Sequence, residues 1–242
     1  MQDPNHQPPT PGCIAAILPA GGRGQRFGQE RNKLFSRLGD KPLWYHAASR
    51  LRDHALVGRI VMPVSSADRK IFDLEFGELI RELQIELVDG GKERTDSVRC
   101  GLDCLKGDDA VRYVAIHDAA RPLVSQVDLD AVFTAVQQTQ AAILAMRMPG
   151  SVKRETETLQ STNSVDRSDL WIALTPQVFE IELLQAAYEK YRGRPATDDA
   201  ELVQRIGHAV MLVPGSAENI KITHPEDLMI AEAILKRQSK DA

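Results

Sequence analysis

From residue 13 onward, short apolar runs alternate with longer amphipathic stretches. The runs at 13–18, 59–64, 85–88, 111–116, 141–146 and 209–213 are apolar at nearly every position and bounded by Gly, Asp or Pro. Such runs suit strands covered on both faces, as in a mostly parallel sheet. The stretches between them carry helical spacing at 43–51, 66–83, 97–105, 127–138, 179–191 and 225–237. Pro42 suits a first helical turn, and a Gly-Gly pair precedes the third helix. The pattern predicts an α/β protein of repeated βα units, with helices on both faces of the sheet, in one domain over 12–242. Residues 1–11 carry Pro4, Pro8, Pro9 and Pro11 with almost nothing apolar and read as a flexible tail.

One segment breaks the rhythm. Residues 149–163 are rich in Ser, Thr, Glu and Lys, and the alternation from Ser151 to Thr156 suits a projecting β-arm at about 148–172. Such an arm either finds its partner on a second subunit or stays a surface loop.

Composition narrows the function classes. Of 242 residues, 43% are hydrophobic and 26% charged, which is enough apolar material for a sizeable core. Thirty Lys and Arg against 34 Asp and Glu leave a net charge of −4, so there is no global basic field for nucleic acid and any anion site is local. No apolar stretch approaches the roughly 20 residues of a membrane helix, and the start lacks the charged and apolar regions of a secretory signal. Cys13, Cys100 and Cys104 form no CxxC motif, which fits a reducing cytoplasm. Cys100 and Cys104, four apart on a helix, read as core packing.

Candidate chemistry lies at the strand ends. The first strand runs into Pro19-Ala20-Gly21-Gly22-Arg23-Gly24-Gln25-Arg26, where three glycines in four positions can expose consecutive N–H groups to a phosphate. Five cations and one acid between Arg23 and Arg37 concentrate positive charge beside these glycines. A tight turn with solvated charges is the other reading. A dinucleotide loop would place Gly or Ala where Phe27 stands, and a Walker loop would need Lys-Ser/Thr after Gly28. A second glycine pair, Gly90-Gly91, precedes Lys92-Glu93-Arg94-Thr95-Asp96-Ser97, and a third cluster is His117-Asp118-Ala119-Ala120-Arg121-Pro122. Open α/β sheets bind ligands at such strand ends.

With Val165-Asp166-Arg167, Leu174-Thr175-Pro176-Gln177, Thr197-Asp198-Asp199-Ala200 and Asn219-Ile220-Lys221-Ile222-Thr223, these motifs form an ordered series from about Ala15 to Leu235. The series resembles the 2-C-methyl-D-erythritol 4-phosphate cytidylyltransferases of the non-mevalonate isoprenoid pathway. The resemblance implies a Rossmann-like domain of nucleotidyltransferase type. It also implies transfer of CMP from CTP to the polyol phosphate with Mg²⁺, and a homodimer whose arms complete each other's sites. By this resemblance Arg26 and Lys33 are catalytic. Pro19, Ala20, Gly21, Gly22, Gly24, Gly90, Gly91, Arg94, Ser97 and Asp118 bind the nucleotide, and Arg121, Ser151, Arg167, Thr197 and Lys221 bind the acceptor. No metal ligand is assigned. Lys221 is expected on a strand, as an inward charge within an apolar run.

The chain departs from the family pattern in two places. Asn32-Lys33-Leu34-Phe35 stands for Pro-Lys-Gln-Tyr, and Gly150-Ser151 stands for Asp-Thr in the arm. The rival acceptor is ribitol 5-phosphate, since the two polyols differ little in binding energy. The rival class is a nucleotide-binding homologue without turnover.

Overall fold

Strand β1 (Ile14–Ile17) is apolar at every position because it is covered on both sides. In the computed structural model, which describes residues 10–22, 31–155, 162–190 and 196–239, Ile14, Ala16 and Leu18 enter one core while Ala15 and Ile17 enter the other. The same two-residue alternation divides β6 (Tyr113–Ile116), with Tyr113 and Ala115 on the first face and Val114 and Ile116 on the second. This is the expected three-layer α/β arrangement.

Among the described residues the main sheet has seven strands, in the order β11-β7-β10-β6-β1-β4-β5. Its other members are β4 (Val57–Val64), β5 (Ile85–Asp89), β7 (Ala141–Arg147), β10 (Trp171–Glu180) and β11 (Met211–Pro214). All pairings are parallel except those of β10 with β6 and β7. The chain moves from β1 outward to β4 and β5, then returns to place β6 on the opposite side of β1. That reversal is a topological switch point, where loops part and leave a crevice at the carboxyl ends of the strands.

The first face is packed by α1 (Leu43–Arg52), through Leu43, Trp44, Ala47, Ala48 and Leu51, and by α5 (Gln126–Thr139), through Leu129, Val132, Phe133 and Val136. The second face is packed by α4 (Arg94–Cys104), α6 (Ile181–Lys190) and α7 (Asp199–Arg205), which bury Val98, Leu102, Leu184, Tyr188, Leu202 and Val203. The last helix among the described residues is α8 (Asp227–Gln238).

Four expectations are corrected. The helix expected at 66–83 is two, α2 (Ser66–Glu75) and α3 (Gly77–Glu82), because Phe76 leaves helical geometry to join the aromatic cluster of Phe35, Trp44 and Phe72. Helix α4 begins three residues before the expected Ser97, which puts Arg94 in its first turn. Cys100 and Cys104 are half-buried rather than fully buried; Cys104 packs against the second core, with its thiol beside Arg59 and Glu86. Residues 219–223 form no strand; Ile222 is buried, and Lys221, though itself exposed, turns its ammonium onto the buried Asp118 carboxylate, so the inward charge stands and the strand does not. A small hairpin of β2 (Arg37–Leu38) and β3 (Lys41–Pro42), together with α7, goes beyond the sequence reading.

The projecting arm is present as β8 (Val152–Glu155) paired antiparallel with β9 (Thr162–Val165). Its base is stapled. Arg147 lies over the Trp171 ring at 4.7 Å and donates to the Ser168 carbonyl, while Arg167 donates to the carbonyls of Met148 and Pro149. No helix among the described residues is long and apolar enough to cross a membrane.

Candidate active site

The glycine turns after β1 and β5 meet around one hydroxyl. Ala20 follows Pro19 and donates its N–H to the Pro63 carbonyl at 2.9 Å, which extends the sheet into the first turn. Gly90 N–H is held by the Val64 carbonyl at 2.8 Å, and Gly91 N–H donates to Ser97 Oγ at 3.2 Å. Ser97 Oγ in turn donates to the Glu93 carbonyl. The glycines are steric requirements here. A Cβ on Gly91 would lie 2.1 Å from Asp96 Cβ, and one on Gly90 would lie 3.0 Å from Ser97 Oγ. Gly21 faces Ser65 and Ser97 at ordinary contact distance, and Gly22 has nothing within 4 Å of its Cβ position. Gly24 and Arg26 lie outside the described residues.

Beside these turns, at the tip of β6, Asp118 is the centre of a charge cluster. Lys221 Nζ lies 2.9 Å from its Oδ2, Arg121 Nε lies 3.5 Å from the same oxygen, and Arg94 Nε lies 3.5 Å from Oδ1. Burial by itself would raise the Asp118 pKa, but Arg94, Lys221 and Arg121 outweigh it and hold the carboxyl far below the usual range. Arg94 continues the chain of charges. Its Nη1 lies 2.8 Å from Oδ2 of Asp199, a fully buried carboxylate whose Oδ1 accepts from Tyr188 Oη at 2.6 Å. Burial penalises the Arg94 charge, yet Asp199 and Asp118 overcome this and push its pKa above the ordinary arginine value. Lys33, on the 3₁₀ turn Lys33–Phe35, donates from Nζ to the Ile222 carbonyl at 2.6 Å, next to Lys221.

Sequence reasoning assigns no role to the groups that hold this cluster in place. His117 is wholly buried, with Nε2 3.0 Å from the Arg121 carbonyl and Nδ1 3.1 Å from Thr175 Oγ1. A carbonyl only accepts, so Nε2 carries the hydrogen, the Thr175 hydroxyl donates to Nδ1, and its oxygen receives the Asp118 N–H. Asn219 donates to the Thr175 carbonyl and receives Arg121 Nη1 on its own carbonyl. Gln177 accepts from the N–H groups of Asp199 and Ala200 and donates to Asp198, fixing the start of α7. All of these residues stand inside the motifs. Sequence displays the motifs but not which members turn inward.

The remaining candidates are more scattered. Thr197 precedes α7 and bonds through N–H and hydroxyl to Glu201. Ser151 and Arg167 sit on the arm, and among the described residues neither makes a hydrogen bond or ion pair with the Asp118 cluster.

Burial holds the His117 imidazole down at about 4. The unfolded chain, with an ordinary histidine, takes up a proton below about pH 6.5 that the native state refuses. Stability is therefore expected to fall as pH drops from about 6.5 towards 4, by up to about 1.4 kcal/mol per pH unit from this group. Urea midpoints across that range, read with the His117 ring resonance, check this; a resonance titrating near 6.5 would remove the contribution.

Two glycine turns and a set of fixed cations thus lie at the switch point of a three-layer α/β sheet. The model of the 2-C-methyl-D-erythritol 4-phosphate cytidylyltransferase family matches residues 14–237. The chain belongs to that family. It is 47% identical over 231 residues to the Rhodopirellula baltica 2-C-methyl-D-erythritol 4-phosphate cytidylyltransferase, covering 92% of this chain and 94% of that protein. Against the Bacillus velezensis protein of the same name it is 37% identical, covering 92% and 96%. The crystal structure of the Thermus thermophilus cytidylyltransferase superposes with a TM-score of 0.75 at 30% identity, covering 92% of this chain and 98% of that one.

Proposed function

We propose that this chain transfers CMP from CTP to 2-C-methyl-D-erythritol 4-phosphate, releasing pyrophosphate, in non-mevalonate isoprenoid biosynthesis. The observation that carries the reading is the set of cations Arg94, Arg121, Lys221 and Lys33, assembled beside two glycine turns. A phosphate monoester is already a nucleophile, so the protein's task is to align two polyanions and to neutralise charge growing at the α-phosphate and the leaving pyrophosphate.

In this reading the turns at Ala20–Gly22 and Gly90–Gly91, with Ser97, receive the nucleotide. Lys221, Arg121 and Thr197 receive the acceptor, and Arg26 and Lys33 act on the reacting phosphate. The described residues include no group of three or more His, Cys, Asp or Glu side chains arranged to hold a metal ion, and Asp118 is already engaged by three cations. A Mg²⁺ held mainly by the triphosphate rather than by protein ligands suits that donor set and would supply charge neutralisation. The arm β8–β9 is exposed and stapled at its base, which suits a two-fold homodimer in which Ser151 and Arg167 reach the partner's site. We place the enzyme in the cytoplasm, with no nucleic-acid or membrane partner.

The test is Mg²⁺-dependent pyrophosphate release from CTP with methylerythritol 4-phosphate, ribitol 5-phosphate or no acceptor. Sedimentation of the same preparation is run against the 26.8 kDa chain mass. Release with the first acceptor alone, from a species of twice that mass, is expected. Release only with ribitol 5-phosphate would overturn the acceptor, and CTP binding without release from any mixture would overturn turnover itself.

A further inference from the structure

The residue that precedes the proposed catalytic lysine is a buried amide that makes three hydrogen bonds around the turn. Asn32 is 7% exposed. Its Nδ2 donates to the Ala20 carbonyl at 3.1 Å and to Asp68 Oδ2 at 3.0 Å, while its Oδ1 accepts the Leu34 N–H at 3.1 Å. The two ends of the amide are assigned by their partners, since a carbonyl and a carboxylate require donors and an N–H requires an acceptor. Asp68 is itself fixed, because its Oδ2 also receives the Ser65 hydroxyl at 2.7 Å and its N–H donates back to Ser65 Oγ. One side chain thus joins the exit of β1, the start of α2 and the turn that carries Lys33.

On its other side, Lys33 is followed by Leu34 and Phe35, both buried. The Phe35 ring packs edge-on against Phe72 at 5.1 Å and stacked on Phe76 at 5.4 Å. The lysine backbone is pinned before and after, and its ammonium reaches the Ile222 carbonyl.

We infer that Asn32 is a positioning residue: its amide sets the distance between the nucleotide turn at Ala20 and the Lys33 ammonium. The inference rests on the reading that Lys33 acts on the reacting phosphate. An amide is required rather than a carboxylate, because Asn32→Asp would face the Ala20 carbonyl and the Asp68 carboxylate with no donor. The backbone offers an independent control. Asn32 has φ −56 and ψ 126, which a proline can adopt, so Asn32→Pro restrains the chain while removing the clamp.

Misplacing a reacting group by about an ångström can cost up to about 100-fold in rate, so Asn32→Ala is expected to lower kcat by about tenfold with KM for CTP within about threefold, and Asn32→Asp by more. Asn32→Pro should fall between Asn32→Ala and wild type. In the Lys33→Ala background, Asn32→Ala should cost little further, because its effect passes through Lys33. A fully active Asn32→Ala, or losses that multiply in the double variant, would overturn the inference. Acylation of the Lys33 amine, followed by mass spectrometry, gives a readout that does not need turnover. Faster labelling in Asn32→Ala than in wild type is expected, and equal labelling would overturn the clamp. If wild type releases no pyrophosphate with any acceptor, the functional reading fails while the labelling arm still decides the positioning.

Discussion

A Lys33→Ala enzyme is expected to bind CTP within about threefold of wild type and to lose on the order of 10²–10³-fold in kcat. The lysine sits on a short 3₁₀ turn fixed by Asn32 on one side and the Phe35 packing on the other, so its ammonium is delivered with little conformational freedom. A fixed charge matters most where charge grows during reaction, and in the proposed function ground-state binding of the triphosphate would be shared with the glycine turns and other cations. Loss of kcat with retained affinity is the signature of a group acting on the transition state. Steady-state kinetics with varied CTP, together with calorimetric CTP titration, separates the two. A variant with near-normal kcat would remove Lys33 from the chemistry.

The second large effect is expected from Asp118→Asn. Three cations share the two oxygens of this carboxylate, and burial means that water offers little replacement. Removing one partner of a buried ionic cluster leaves like charges facing one another, a loss of roughly 3 kcal/mol or about 6–12 °C in Tm for a chain of this size. CTP affinity should change less than kcat, because the glycine turns, Ser97 and Arg94 remain to receive the nucleotide and the local positive charge rises. The kcat should still fall, because Lys221, 40% exposed at its side chain, loses the anchor that aims it. Thermal unfolding and CTP titration of the same variant test both halves, and an unchanged Tm would show that the cations do not depend on Asp118.

How far the site can be read from sequence differs by element. Strand β1 and the turn after it are plain, because a run apolar on every residue and three closely spaced glycines are local signals. Strand β10 is not, since Thr175-Pro176-Gln177 interrupts its pattern, and a proline with polar neighbours argues against a central strand. In the folded chain the ladder with β7 shifts register across that stretch, and the interruption places Thr175 against His117. Lys221 reads in sequence as an inward charge on a strand. Its segment is irregular because residues 219–222 make single bonds to Arg121, Ala120 and Thr175 of β10 rather than a backbone ladder with a neighbouring strand.

The layer architecture, the strand ends that carry chemistry and the family are all legible along the chain, because hydrophobic period, glycine turns and motif order are written residue by residue. Folding in three dimensions is what sets β10 antiparallel beside β6 and gathers Arg94 and Lys221 from separate segments around the local pair of Asp118 and Arg121. The same holds for the clamp that Asn32 places on the turn bearing Lys33. The difference is one of range. Strand order and buried charge pairing are settled by contacts between residues up to about a hundred positions apart, where local propensity is silent and packing and desolvation choose the partner.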